Sequence, residues 1–327
     1  MIVVTGGAGF IGSNLVAALA ERGAHVVVCD VLGTDERWRN LSRHVIDDLI
    51  HPGALMAFLA RHRDAVEAVF HMGANSSTMA TDGDAIVASN VRPSLDLWHW
   101  CAAEGKRLIY ASSAATYGDG AQGFDDAMDP AHLARLQPLN LYGWSKHMVD
   151  RFIAREVAEA RPQPAQWAGL KFFNVYGPNE YHKGGMRSLA ATNWPAVEAG
   201  GAIRLFKSHR AGIADGGQLR DFIHVADCVA VMLFLLDNPG VSGLFNVGTG
   251  QARSFADLAR AIFAGAGLPE QIDYIDMPES LRARDQYYTE ARMQRLRQAG
   301  FNAPFLSLED GVGDYVRNHL SHADPYR

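Results

Sequence analysis

Three glycines near the start of the chain constrain the fold more than any other feature. Met1-Ile-Val-Val-Thr-Gly-Gly-Ala-Gly-Phe-Ile-Gly12 places Gly6, Gly9 and Gly12 directly after a short apolar strand. Ser13–Arg22 then continues as a helix. A missing Cβ lets backbone approach a pyrophosphate closely, and a helix N-terminus turns free N–H groups toward an anion. Glycines at this spacing, between strand and helix, predict a dinucleotide-binding turn. The alternative is a glycine-rich packing turn.

Strand-like apolar runs alternate with amphipathic stretches through the first half. The expected strands are Ile2–Thr5, His25–Asp30, Ala68–Gly73, Leu108–Ser113 and Leu170–Val175. The expected helices are Gly12–Arg22, Gly53–His62, Ala85–Glu104 and Leu141–Glu159. Such alternation predicts right-handed crossovers and a parallel sheet, and continuously apolar strands predict helices on both faces. The fold class is therefore α/β: a doubly wound parallel Rossmann sheet with a smaller C-terminal substrate-binding lobe. After Val175 the pattern loosens. It resumes at Phe222–Val225, a helix at Ala226–Leu236, the strand and turn Phe245–Gly250, and a helix from a capping box at Ser254 and Asp257 to Ala264. The expected division is residues 1–176 and 221–250 for the dinucleotide, and 177–220 and 251–327 for the substrate.

Composition narrows the class of partner. The 327 residues are 48% hydrophobic, enough for a large core, and carry a formal net charge of −6 without a basic stripe, which argues against nucleic acid. Cys29, Cys101 and Cys228 are scattered and show neither metal-ligand nor disulfide spacing. The longest wholly apolar stretch, Cys228–Leu236, is too short for a membrane span. No metal and no membrane partner are expected. With the cofactor turn starting at residue 2 and no room for a signal peptide, the expected location is cytoplasmic.

The chemistry is expected at Tyr142-Gly-Trp-Ser-Lys146. Residues four apart share one helix face, so the Tyr142 phenol and the Lys146 ammonium face one cleft. A cation there favours phenolate, and a depressed Tyr142 pKa predicts a general base near neutral pH. The strand ending in Ser112-Ser113 reaches the carboxyl side of the sheet, where ligands bind. Ser113 is the candidate for holding a reacting hydroxyl, with Ser112 and Thr116 as alternatives. Asp30, closing the second strand, suits a ribose 2′-hydroxyl and hence NAD.

These motifs resemble the extended short-chain dehydrogenase/reductases that act on nucleotide sugars. The resemblance runs almost end to end. It includes Phe173-Asn-Val-Tyr-Gly-Pro178, Arg220-Asp-Phe-Ile-His-Val225 and Asn246-Val-Gly-Thr-Gly250. Within that group, Phe70–Thr78, Ala111–Gly118, His182-Lys-Gly-Gly-Met186 and Leu281–Thr289 are similar to the ADP-heptose 6-epimerases of lipopolysaccharide core synthesis. The resemblance implies inversion at C6 of a nucleotide-linked heptose by transient oxidation to a ketone and hydride return. It implies Lys183 as a second acid–base group, and His182 beside it receives no role. It implies NADP through Arg37, with NAD tolerated, and a homo-oligomer.

By the same resemblance, Phe10, Ile11, Val31, Met72, Gly73, Ala74, Asn75, Ser76, Asn90 and Val175 would border the cofactor. Asn174, Gly185, Thr192, Phe206, Arg220 and Asp285 would border the substrate. Gly185, Thr192 and Asp285 depart from the family's residues, as does Pro52 on the cofactor side. The competing readings are a UDP-hexose 4-epimerase, a 4,6-dehydratase and a catalytically inactive NAD(P) sensor. Ala114-Ala115 stands where a dehydratase carries an Asp-Glu pair, and a sensor would have no need of both Tyr142 and Lys146.

Overall fold

The computed structural model describes residues 1–279 and 286–327. The elements begin with β1 (Ile2–Thr5), α1 (Phe10–Glu21), β2 (Val26–Cys29), β3 (Asp48–Ile50), α2 (Leu55–Arg61) and β4 (Ala68–His71). They continue with α3 (Arg92–Ala103), β5 (Arg107–Ser113), α4 (Leu141–Ala158), β6 (Gln166–Phe172), β7 (Asn174–Tyr176) and α5 (Leu189–Glu198). The second half adds β8 (Ile203–Phe206), β9 (Leu219–His224), α6 (Val225–Asp237), β10 (Gly243–Val247) and β11 (Ala252–Ser254). Last come α7 (Phe255–Ala266), β12 (Ile272–Ile275) and α8 (Leu308–Tyr315).

Seven strands form one parallel sheet in the order β10-β6-β5-β4-β1-β2-β3. Its inner strands are mostly apolar because both faces are covered, while the edge strand β3 is exposed at Asp48 and Leu49. Leu15, Val16 and Leu19 of α1 pack with Val229, Met232 and Leu235 of α6 on one face. Leu59 of α2, Leu97 and Trp98 of α3 and Val149 and Ile153 of α4 cover the other. The expected doubly wound sheet is therefore present. The smaller lobe has its own core, with Trp194 of α5, Ile262 of α7 and Val312 of α8 around the parallel pair β8 and β12. A third sheet, β11-β9-β7, lies at the junction. The chain then returns, placing Leu296 and Phe301 in the main sheet's core.

Several expected elements differ. Leu170–Val175 is not one strand: β6 ends at Phe172, and β7 pairs with β9 in the junction sheet. A single apolar run hides this change of sheet. The expected helix Ala85–Glu104 is interrupted by a wider turn over Val87–Val91, with α3 starting again around Pro93. The helix expected from Gly53 begins at Leu55, after a tight turn led by Pro52. The capping box forms as expected, Ser254 accepting from the Asp257 amide at 3.0 Å and Asp257 from the Ser254 amide at 3.2 Å.

A buried ion pair ties α4 to the sheet. Lys171 Nζ on β6 lies 3.1 Å from Asp150 Oδ2 on α4, with neither side chain exposed. Asp150 also accepts from Tyr110 Oη at 3.0 Å and Ser112 Oγ at 2.7 Å, while Lys171 donates to Thr116 Oγ1 at 2.6 Å. Removing one member strands a charge in the core. Lys171→Met should therefore destabilise the protein by about 3–5 kcal/mol in denaturant unfolding. The double variant Lys171→Met/Asp150→Asn should lose less.

Candidate functional site

The sheet order reverses beside β1, whose neighbours β2 and β4 leave in opposite directions, and a cleft opens there. The two strand ends meet closely. Gly6 has φ +65°, and a Cβ on it would stand 2.5 Å from the Gly73 amide nitrogen. A Cβ on Gly12 would overlap the Gly6 carbonyl. Gly9 caps α1 in extended conformation with no side chain bonded across the helix start, and the first turn carries no acid. This is a cradle that only bare backbone fills, open to an anion.

The cleft has a volume of about 750 Å³. The structure brings Gly6, Gly9, Phe10, Ile11, Gly12, Asp30, Arg37, Met72, Gly73, Ala74, Asn75 and Ser76 to its walls. It also brings Ser113, Tyr142, Lys146, Asn174, Val175 and Lys183 there. A second cavity of about 380 Å³ is lined by Phe206, Asn140, Met277, Gln286 and Thr289. The two share Thr78, Ser113, Tyr142, Phe172, Phe173 and Asn174. Tyr142 and Ser113 thus stand where a long groove meets a smaller pocket.

Other expected residues lie elsewhere. Val31 follows Asp30 but is largely exposed and off the wall, its amide donating to Asp30 Oδ1 at 2.7 Å. Asn90 is buried behind the wall. Gly185 sits on the exposed side of the Tyr181–Met186 turn, and Thr192 points outward from α5. Arg220 is buried under the Phe255 ring, 5.6 Å from its centroid, and off both linings. Asp285 and the Leu281–Asp285 part of the substrate-loop resemblance lie outside the described residues. The sequence reading overlooked Asn140, which caps α4 by accepting from the Gly143 amide at 2.8 Å and lines the pocket. An Asn directly before Leu141-Tyr142 is the signal that would have found it.

Asn90 organises the wall from behind. Its Oδ1 accepts from the Asn75 amide at 2.8 Å. Its Nδ2 donates to the Asn75 carbonyl and to Ser145 Oγ, both at 3.0 Å. One amide thus joins the loop after β4 to the helix carrying Tyr142 and Lys146. Beside it, Ser94 Oγ donates to the Asn90 carbonyl at 2.6 Å. With that proton used, His71 Nε2 must donate to Ser94, at 3.0 Å, and Nδ1 accepts from Thr5 Oγ1 at 2.7 Å. Burial, then the Lys146 charge, push His71 down to about 3, so it is neutral at working pH.

The three candidate hydroxyls, Ser112 and Ser113 on β5 and Thr116 in the turn after it, are separated by their partners. Ser112 is bonded to Asp150 and Thr116 to Lys171. Ser113 accepts from the Ala115 amide at 3.1 Å and contacts Tyr142.

The expected depression of Tyr142 is not found in the protein alone. Burial raises the phenol above its ordinary value of 10.0; the Ser113 hydrogen bond opposes this and Asp150 adds to it. Spacing along a helix shows a neighbouring cation but not the desolvation of the phenol itself. Burial also lowers Lys146 from 10.5 to about 8, against the opposing pull of Asp150. Lys183 is lowered by burial as well, with Glu180 acting against the shift, and its Nζ lies 5.1 Å from the Phe10 ring centroid. Asp30 accepts from the Ala8 amide at 2.9 Å, and Arg37 forks onto Asp35 at 2.7 and 2.5 Å.

The NAD dependent epimerase/dehydratase family model matches residues 2–248. The chain belongs to that family. It is 50% identical, over all of both chains, to an ADP-L-glycero-D-manno-heptose-6-epimerase of Nitratidesulfovibrio vulgaris. It is 44% identical over all of both chains to the protein of that name in Fusobacterium nucleatum. Among solved structures, the Helicobacter pylori ADP-L-glycero-D-manno-heptose-6-epimerase matches with a TM-score of 0.78 at 26% identity, covering 97% of this chain and 95% of that one. Among the described residues, no helix is long and apolar enough to cross a membrane.

Lys146 supplies a direct electrostatic test. In the coenzyme-free protein its ammonium should titrate near pH 8, and Asp150→Asn should lower the midpoint further. The folded protein holds this proton less tightly than the unfolded chain, so its contribution to stability should grow as pH rises from about 8 to 10.5. NMR of ¹³C-labelled lysine, compared with Lys146→Met, checks this; a midpoint at the ordinary 10.5 would contradict it.

Proposed function

We propose that this member of the family is an isomerase that inverts C6 of ADP-D-glycero-D-manno-heptose by transient oxidation at that carbon. The observation that carries the reading is the meeting of the long groove and the smaller pocket at Ser113 and Tyr142. Two ligands entering from opposite ends would touch at one phenol. The full-length identity to proteins named for this epimerisation supports the substrate.

A nicotinamide coenzyme along the glycine turn supplies a reversible acceptor for the hydrogen on C6. The residues handle protons and position. Tyr142 Oη receives the proton of the C6 hydroxyl, which Ser113 Oγ orients. The Lys146 ammonium, helped by the positive charge an oxidised coenzyme would add, offsets the burial that otherwise holds the phenol protonated. Lys183 Nζ serves the substrate's other orientation; burial lowers its pKa and so eases release of its proton. The chemistry is redox-neutral over a full cycle, so the coenzyme can remain bound throughout.

NADP rather than NAD belongs to this proposal. Asp30 suits a free 2′-hydroxyl, whereas Arg37 lines the same end of the cleft and can meet a 2′-phosphate. Its fork onto Asp35 preorganises the guanidinium and leaves its remaining face for the ligand. The division into a coenzyme unit of residues 1–176 and 221–250 and a substrate lobe of 177–220 and 251–327 is also part of the reading. Leu296 and Phe301 are where the second rests on the first. Exposed Trp144 and Met148 on α4 support a homo-oligomer.

Purified protein incubated with ADP-D-glycero-D-manno-heptose should yield the C6 epimer by NMR, without net change in coenzyme absorbance. Tyr142→Phe should lower kcat by roughly 10²–10⁴-fold. Full rate in that variant would refute the general-base role. Absence of product together with turnover of a UDP-hexose would refute the substrate.

A further inference from the structure

The stretch Asp324–Arg327 joins two neighbouring turns that both reach the cleft. The first, Arg37–Leu41, carries the arginine at the adenosine end; the second, Tyr181–Met186, carries Lys183. Asp324 Oδ2 lies 2.7 Å from Arg43 Nη2, and Oδ1 lies 3.8 Å from Arg39 Nη2. The Arg39 guanidinium sits over the Tyr326 ring, 4.6 Å from its centroid. The same ring, only 7% exposed, meets Tyr181 edge-on at 5.1 Å. Tyr181 Oη donates to the Pro325 carbonyl at 3.0 Å, and the Arg327 amide donates to Asn179 Oδ1 at 3.0 Å.

Asn179 is a buried non-glycine residue at φ +74°, a conformation that needs surrounding support. Its Nδ2 donates to Ser13 Oγ of α1 at 3.0 Å. Its carbonyl accepts from Asn40 Nδ2 at 3.2 Å, and the same Nδ2 donates to the Ala8 carbonyl of the glycine turn at 2.8 Å. The glycine turn, the Arg37 turn and the Lys183 turn thus converge on Asn179, and residues 324–327 close the convergence from outside.

We propose that Asp324–Arg327 is a positioning strap that sets where Arg37 stands relative to the coenzyme's adenosine ribose. It holds Arg39 on the Arg37 turn, and Arg43 just after that turn, against Tyr181 and Asn179, and so fixes the guanidinium where a 2′-phosphate is read. The strap acts through that turn and touches neither reacting atom nor coenzyme. The inference rests on the NADP reading given above.

The test measures dissociation constants for NADP and NAD in the full-length protein by calorimetry. Tyr326→Ala removes the ring beneath Arg39, and should weaken NADP roughly three- to tenfold while leaving NAD nearly unchanged. Tyr326→Phe keeps the ring and should keep the ratio. Asp324→Asn, an exposed change that leaves the core intact, should shift the ratio in the same direction and decides the matter if Tyr326→Ala does not fold. Arg37→Ala is the reference. If Arg37→Ala abolishes an NADP preference that the folded strap variants retain, or if these variants weaken both coenzymes equally, the strap is overturned. If Arg37→Ala leaves the preference intact, the NADP reading beneath it falls instead.

Discussion

Everything in the site depends on how closely two strand ends approach. Gly6 after β1 and Gly73 after β4 touch where any side chain would intrude, and Thr5 Oγ1 accepts from the Gly73 amide at 3.1 Å across the gap. That contact closes the floor of the sheet at its switch point and opens the cleft above it. It also aims α1 so that its uncapped N-terminus faces the cleft. A larger residue at either position would part the strands and tilt the helix away from the cleft.

From this floor the polar interior carries order outward. His71, held neutral, links Thr5 to Ser94, and Ser94 links to Asn90. Asn90 spans from the Asn75 loop to Ser145 on α4. One turn below Lys146, Asp150 gathers Tyr110, Ser112 and Lys171. The groups consumed in these bonds leave Ser113 and Tyr142 facing the groove. Burial of these networks is costly unless every member is paired, and pairing makes α4 a rigid mount for its phenol and ammonium.

Much of this was legible in the sequence because the relevant signals are local. The glycine turn, β1, α1 and Tyr142 four residues before Lys146 are read from adjacent positions. The strands that escaped notice are those whose pairing is remote or exposed. β3 is an edge strand with exposed Asp48 and Leu49, and β8 finds its partner β12 some seventy residues later. The run from Leu170 to Val175 conceals a change of sheet at Phe173, since apolar residues suit both. Asn90 was singled out only by resemblance, and its buried role behind the wall comes from a widened turn that helical periodicity does not reveal. The raised Tyr142 pKa was hidden for the same reason: desolvation belongs to the whole packed site, whereas sequence spacing shows only a neighbour.

The small lobe completes the arrangement by bringing Lys183 to the wall of the groove and Phe206 to the wall of the smaller pocket. Both Tyr142 and Lys183 line that groove, as the proposed two-base inversion needs. The most direct measurement is a crystal structure of the protein with NADP and ADP-heptose bound. The account predicts the Tyr142 hydroxyl within hydrogen-bonding distance of the C6 oxygen, with C4 of the nicotinamide facing the same carbon. A Tyr142 ring turned away from that carbon, or a coenzyme seated outside the Gly6–Gly73 cradle, would contradict it.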